Sequence, residues 1–179
     1  LLIVSGCGAI VATTATIMAV DIVRDRRTVS VYIDDNLMEI SIRRKVKKAA
    51  GVQHENVSVT VLNGVVLLTG EVPSQPSIGF IVDIAKAQEG SYLVINRLEL
   101  AGKTNLTSRI NDSWITGRVK AAMTTSRSID PTRIKAVTER ANVYLMGLVT
   151  REEAAKAVEI TRSVPGVVRV VKIFEYIEN

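Results

Sequence analysis

Few residues of this sequence are of the kinds that perform chemistry, and their spacing argues for attachment and contact rather than turnover. Its one thiol, Cys7, closes the run Leu1-Leu2-Ile3-Val4-Ser5-Gly6, apolar at first and small at the end. That is the pattern of a signal-peptide core followed by a lipobox, Val4-Ser5-Gly6-Cys7. In it the thiol receives a diacylglycerol, and cleavage leaves the cysteine as the first mature residue. Residues 1–6 are therefore expected to be the end of a signal peptide whose basic start lies upstream. Two other readings of this segment stay open. Residues 1–20 carry no charge and about 20 apolar residues suffice to cross a bilayer, so an uncleaved anchor is one; a buried structural cysteine is the other. If Cys7 is acylated, the anchor is strong, because each buried methylene contributes about 0.8 kcal/mol and more than one chain is attached. Gly8 follows the cysteine where aspartate would resemble an inner-membrane retention signal, which favours the outer membrane.

No catalytic constellation accompanies the thiol. His54 is the single histidine and sits in a Gln-His-Glu loop, where a polar loop role suffices. With Cys7 assigned to the anchor, no thiol is left for catalysis or for a metal. Serines and threonines are plentiful, but none lies in a nucleophile-elbow pattern. Glu152-Glu153 opens a helix, where carboxylates favour the positive end of the dipole. No catalytic residue, metal ligand or cofactor motif is assigned, and the chain is read as not an enzyme.

Contact chemistry is better represented. Around Trp114, the only tryptophan, a helical period puts Ile115, Val119 and Ala122 on one stripe facing a sheet. Trp114, Gly117, Arg118, Ala121 and Thr125 fall on the neighbouring stripe. An exposed indole beside Arg118, with Lys120 and Arg127 close in sequence, suits a bilayer interface. Tryptophan prefers the headgroup zone, arginine pairs with phosphate, and small residues let a helix approach closely. The competing role for Trp114 is to close the edge of a core. A second basic run, Arg43-Arg44-Lys45 with Lys47-Lys48, reads as a solvated helix face, since Ile42 and Val46 claim the opposite side. No aromatic platform is interleaved with it, which disfavours nucleic acid as a partner.

The elements that must position these residues form an internal repeat. In the first copy a helix over about residues 37–50 carries Ile42, Val46 and Ala49 at helical spacing. Val57, Val59 and Val61 alternate with polar residues as a half-buried strand. Asn63-Gly64 marks a type I′ hairpin turn, and Val65 to Val72 is the returning strand. Pro73 to Pro76 breaks the chain, Ile78, Ile81, Val82 and Ala85 mark a second helix that Gly90 stops, and residues 92–100 form a third strand. The second copy repeats the order: a helix over 114–125, a strand at Ile134, Ala136 and Thr138, a return over 142–149, a helix over 151–163 ended by Pro165-Gly166, and a strand over 167–177. Gly70 and Gly147 hold equivalent places, as do Gly90 and Gly166. The fold class expected is α+β: two tandem αββαβ modules, each a three-stranded mixed sheet with two helices packed on one face. With two Phe, four Tyr and one Trp, the cores must be aliphatic. Charge is unevenly shared. Residues 35–102 hold seven basic and seven acidic side chains, while residues 109–179 hold twelve and eight. An anionic partner should prefer the second copy.

The repeat resembles the BON domain. The likeness is carried by the glycine that ends the second strand, in Val65-Val66-Leu67-Leu68-Thr69-Gly70 and Val143-Tyr144-Leu145-Met146-Gly147-Leu148-Val149, by the Ala-rich helix, and by Val164 to Val171. Over nearly its whole length the chain also resembles the two-module outer-membrane lipoproteins of that family. This rests on the lipobox, the small residues after Cys7, Asp25-Arg26-Arg27-Thr28-Val29 before Asp34-Asp35, Asn111 to Thr116, and Leu145 to Thr150. Departures are Ser91-Tyr92 against Val167-Val168, two prolines after Val72, and Arg140-Ala141 in place of Asn63-Gly64. The resemblance implies a lipid-anchored protein of the outer membrane, facing the periplasm, that binds anionic, phosphatidylglycerol-like phospholipid through its second BON domain and supports envelope integrity, with no cofactor. The division expected is a lipidated N-terminus and linker over 7–36, a first BON domain over 37–102, a linker over 103–110 and a second BON domain over 111–179. The lipid-binding residues expected are Trp114, Gly117, Arg118, Lys120, Ala121 and Thr125. A non-catalytic adaptor, with both modules serving as docking surfaces for envelope or secretion proteins, is the alternative.

Overall fold

The computed structural model describes residues 28–48, 56–101, 106–126 and 128–178. Cys7, the apolar residues 8–20, His54 and Arg127 lie outside them. Helix α1 (Val29–Lys48) leads into the hairpin β1 (Val57–Leu62) and β2 (Val65–Val72), then α2 (Gln75–Lys86) and β3 (Leu93–Leu100). The second module runs α3 (Leu106–Thr125), a short 3-10 turn at Pro131–Arg133, β4 (Ile134–Glu139), β5 (Asn142–Val149), α4 (Arg151–Arg162) and β6 (Arg169–Tyr176). Both sheets have the hairpin's return strand in the middle, antiparallel to the first strand and parallel to the third. The parallel step needs a crossover, and α2 and α4 provide it. Both crossover helices have hydroxyl N-caps: Ser74 accepts from Ser77 N–H, and Thr150 forms a reciprocal capping box with Glu153. The α+β reading of two αββαβ modules stands.

Each module closes its own aliphatic core between helices and sheet. Ile42, Val46, Val59, Val61, Val66, Leu68 and Ile81 build the first. Ile115, Val119, Met123, Val143, Leu145 and Ala157 build the second. The helices α1 and α3, however, begin earlier than their apolar period suggests, α1 inside the stretch read as linker. The polar run Asp34-Asp35-Asn36 looks turn-prone, yet Asp35 is buried. Its carboxylate accepts from the backbone N–H of Asn63 at 2.6 Å and of Gly64 at 2.9 Å. Asp112 does the same for Arg140 at 2.9 Å and Ala141 at 2.8 Å. Each hairpin turn is thus tied to the first helix of its module by two charge-assisted hydrogen bonds. Asn63 and Gly64 have φ of 51° and 73°, Arg140 and Ala141 of 48° and 60°. The second hairpin therefore makes the same left-handed turn without a glycine, held by Asp112.

The faces of the sheets turned away from the helices meet each other. Leu62, Val65 and Leu67 pack against Tyr144 and Met146, with Ile95, Val171 and Ile173 at the margin. Every residue of β2 is buried: Val66, Leu68 and Val72 enter the first core while Val65 and Leu67 enter the seam. The polar ties across the seam are reciprocal. Asn63 Nδ2 donates to Glu175 at 2.8 Å, and Arg140 donates to Glu99 at 2.6 Å. Asn63 and Arg140 are equivalent turn residues, and Glu99 and Glu175 equivalent strand residues, so the modules pair like the halves of a two-fold dimer. Arg140 also reaches the buried carboxylate of Glu71 at 2.6 Å, and Lys135 Nζ donates to the Val61 carbonyl at 2.8 Å.

Candidate functional site

Helix α3 has two characters. Ile115, Val119 and Met123 are buried in the second core, which fixes the opposite side outward. Trp114 is 50% exposed, and the Arg118 guanidinium lies 4.5 Å from its ring centroid. Such a stack contributes about 0.5–1 kcal/mol when exposed. It also holds the cation beside the indole instead of leaving it to roam. Gly117, Ala121 and Thr125 are exposed on the same stripe. A Cβ on Gly117 would meet nothing within 4 Å, so the glycine keeps the surface low next to the indole. Thr125 satisfies its hydroxyl donor on the Ala122 carbonyl at 3.0 Å. Lys120 is exposed too, but helical spacing puts it about a third of a turn away from Trp114.

One residue joins this face that the sequence reading did not single out. Ile110, 62% exposed, sits one turn before Trp114. The loop after α4 also comes up to the indole, since a Cβ built on Gly166 lies 3.9 Å from Trp114. Ile110 could have been found by extending the helical period backward from Trp114. The approach of Gly166 could not, because only the tertiary fold sets that loop against α3. The first module carries an apolar counterpart of this face in Ile33 and Leu37, both exposed. The place of Arg118 is taken there by Ser41, which is bonded to the Gln88 oxygen that Lys45 also reaches, so no guanidinium stands at that position. The basic run on α1 is a solvated face in part engaged locally: Arg43 pairs with Glu39 at 2.6 Å and Lys45 with Gln88 at 2.8 Å.

A polar cleft of about 430 Å³ opens between the modules, lined among others by Arg43, Asn56, Arg109, Asp112 and Glu139. Burial there, together with the carboxylates of Asp112, Glu71 and Glu99, pushes Glu139 up to about 7 from an ordinary 4.5, against the pull of Arg140. For a group fully shielded from water that gap corresponds to about 3 kcal/mol. Glu139 is only partly buried, and screening reduces it to about 1–2 kcal/mol. The sign follows from linkage: the folded protein holds the proton more tightly, so the favourable contribution is complete below pH 4.5 and lost as pH rises through 7. A Glu139→Gln variant is therefore expected to be about 1–2 kcal/mol more stable than the parent at pH 8 and nearly equal to it at pH 4. Urea unfolding at the two pH values measures this, and equal stabilities at pH 8 would contradict it.

Among the described residues no group of His, Cys, Asp and Glu is placed to hold a metal ion. Nor is any helix among them long and apolar enough to cross a membrane. The BON domain model matches residues 34–102 and again 111–178. The outer membrane lipoprotein DolP of Haemophilus influenzae is 34% identical over 98% of this chain and 87% of its own length. The 21 kDa hemolysin of Actinobacillus pleuropneumoniae is 28% identical over 86% of this chain and 80% of its own. Among solved structures, the C-terminal domain of CdsD, a structural protein of the Chlamydia trachomatis type III secretion system, aligns over 80% of this chain and 67% of its own at 11% identity and a TM-score of 0.32. The chain belongs to the BON-domain family, as a two-module member similar over almost its whole length to the outer membrane lipoprotein DolP.

Proposed function

We propose that this protein is a lipid-anchored outer-membrane protein that faces the periplasm, lays the α3 face of its second module on an anionic phospholipid surface, and supports envelope integrity without catalysing a reaction. The observation that carries this is Trp114 half exposed under a stacked Arg118, on a helix whose other side is core. Ile110 enlarges the apolar area around the indole, and Arg118 supplies the charge that a phosphate group meets. A basic side chain near an anionic leaflet contributes about 1 kcal/mol, so one such face gives modest affinity by itself. A tether at Cys7 makes modest affinity sufficient, because it raises the local concentration of the face at the membrane. The kinship with DolP supports the outer membrane as the location.

A version lacking residues 1–20 separates the face from the tether. It is expected to co-sediment with phosphatidylglycerol vesicles and much less with neutral ones. Trp114→Glu places a carboxylate where the headgroup phosphates lie, and is expected to reduce binding at least about tenfold with an unchanged circular dichroism spectrum. Binding that survives the substitution, or that is as strong to neutral vesicles, would sink the proposal.

A further inference from the structure

Strand β6 has a free edge. β5 pairs along one side of it, and among the described residues no strand pairs along the other. Every second peptide of such a strand turns its N–H and C=O outward, as a template for one more strand. Sheets commonly guard an edge by shortness or proline, but β6 matches β5 over its full length, Arg169 to Tyr176, with no proline within it. Helix α4 runs beside this edge, and two adjoining hollows of about 330 and 430 Å³, sharing Val158 and Lys172, line the space between them. Their floor is apolar, with Ala154, Val158 and Val170.

The charge around this groove is of one sign. Arg151 and Arg162 stand on the α4 wall, Arg169 and Lys172 on the strand wall, and no carboxylate lines either hollow. Arg151 stacks on Tyr176 at 4.9 Å, and none of the four forms an ion pair among the described residues. Charges that merely protect an edge belong on the strand; here half of them are on the helix across from it. The duplication supplies an internal comparison. On the same framework, aligned by the caps Ser74 and Thr150 and by Gly90 and Gly166, the first module has Gln75, Lys86, Leu93 and Asn96 at these four places. Only the second copy surrounds its edge strand with cations.

We infer that the groove between α4 and β6 takes an extended acidic segment of a partner protein, added as a strand to β6 with its carboxylates against Arg151, Arg162, Arg169 and Lys172. A bilayer offers phosphates to those cations, but it is broad and flat and has no alternating donors and acceptors for a strand edge. An extended acidic chain satisfies both the backbone and the charge. This site is separate from the Trp114 face and stands whether or not that face binds lipid.

The test uses the full chain in non-ionic detergent and two short labelled peptides, one alternating glutamate with valine and one alternating lysine with valine. Fluorescence anisotropy is expected to show the acidic peptide binding at least about tenfold tighter, with the preference shrinking as salt is raised. Hydrogen exchange should show new protection in β6 when the acidic peptide is present. The double substitution Arg162→Glu and Arg169→Glu is expected to weaken binding about tenfold or more. The milder pair Arg162→Gln and Arg169→Gln should fall between, with exchange in β5 unchanged as the check on folding. Equal binding of the two peptides, or indifference to both double variants, would overturn the inference. So would protection of β6 by phosphatidylglycerol-doped micelles and not by peptide, since the groove would then be a lipid site.

Discussion

A Gly70→Ala variant is expected to lose at least about 3 kcal/mol of stability, a large share of the roughly 5–15 kcal/mol typical of a folded domain. Gly70 has φ of +112°, outside the region any L-residue occupies without strain, and holding alanine there costs about 1–3 kcal/mol. Space adds to this. A Cβ built on Gly70 lies 1.6 Å from the carbonyl oxygen of Asn56 and 2.7 Å from its carbon. That oxygen belongs to the backbone and accepts the Glu71 N–H at 3.2 Å, so it cannot withdraw without opening the start of the β1–β2 pairing. The equivalent Gly147 has no positive φ, and its Cβ would lie 2.7 Å from the Arg133 carbonyl oxygen. Gly147→Ala is accordingly expected to cost less, about 1–2 kcal/mol. Urea unfolding of both variants measures the order. A loss under about 1 kcal/mol for Gly70→Ala, or a smaller one than for Gly147→Ala, would show that the end of this hairpin yields more readily than its geometry implies.

These two glycines mark what sequence can and cannot disclose here. Their equivalence is visible as a repeat, but the difference in their backbones is not, since it depends on how closely the partner strand approaches. The hairpin at Asn63-Gly64 and the stop at Pro165-Gly166 are local signals, and the elements they bound fall where the periodicity puts them. Asp35 is misread because its partners are turn amides many residues away; a polar run that looks like a linker is the buried strap of the hairpin. The apolar runs Val65 to Leu68 and Val143 to Met146 betray burial on both faces of a strand, yet nothing local says that the second face belongs to the other module. The Trp114 stripe is legible for the same reason as the hairpins, being a matter of helical period, whereas the loop at Gly166 reaches it through the fold. Arg140-Ala141 reads from sequence as a weaker version of a glycine turn. In the structure it is where the two modules are tied.

That tie gives the second large effect: Arg140→Met is expected to cost about 2–3 kcal/mol and to loosen the seam. The Glu71 side chain is 1% exposed and that of Arg140 42% exposed. Removing the arginine strands a buried carboxylate that is left with Asn56 Nδ2 at 3.2 Å as its side-chain donor. Breaking a fully buried pair from one side costs about 3–5 kcal/mol, and the water-accessible side of Arg140 lowers that figure. Replacing both partners should be far milder, so Arg140→Met with Glu71→Met is expected to recover more than about 1 kcal/mol relative to the sum of the single losses. A double variant no better than additive would show that the arginine acts through the hairpin turn alone and not through the seam. Arg140 also holds down the Glu139 carboxyl. Its loss must therefore move the pH-dependent part of the stability to higher pH, in the direction of tighter proton binding. A change in the turn by itself would lower stability without moving that midpoint, so the two measurements together separate a structural lesion from the loss of the charge that joins the modules.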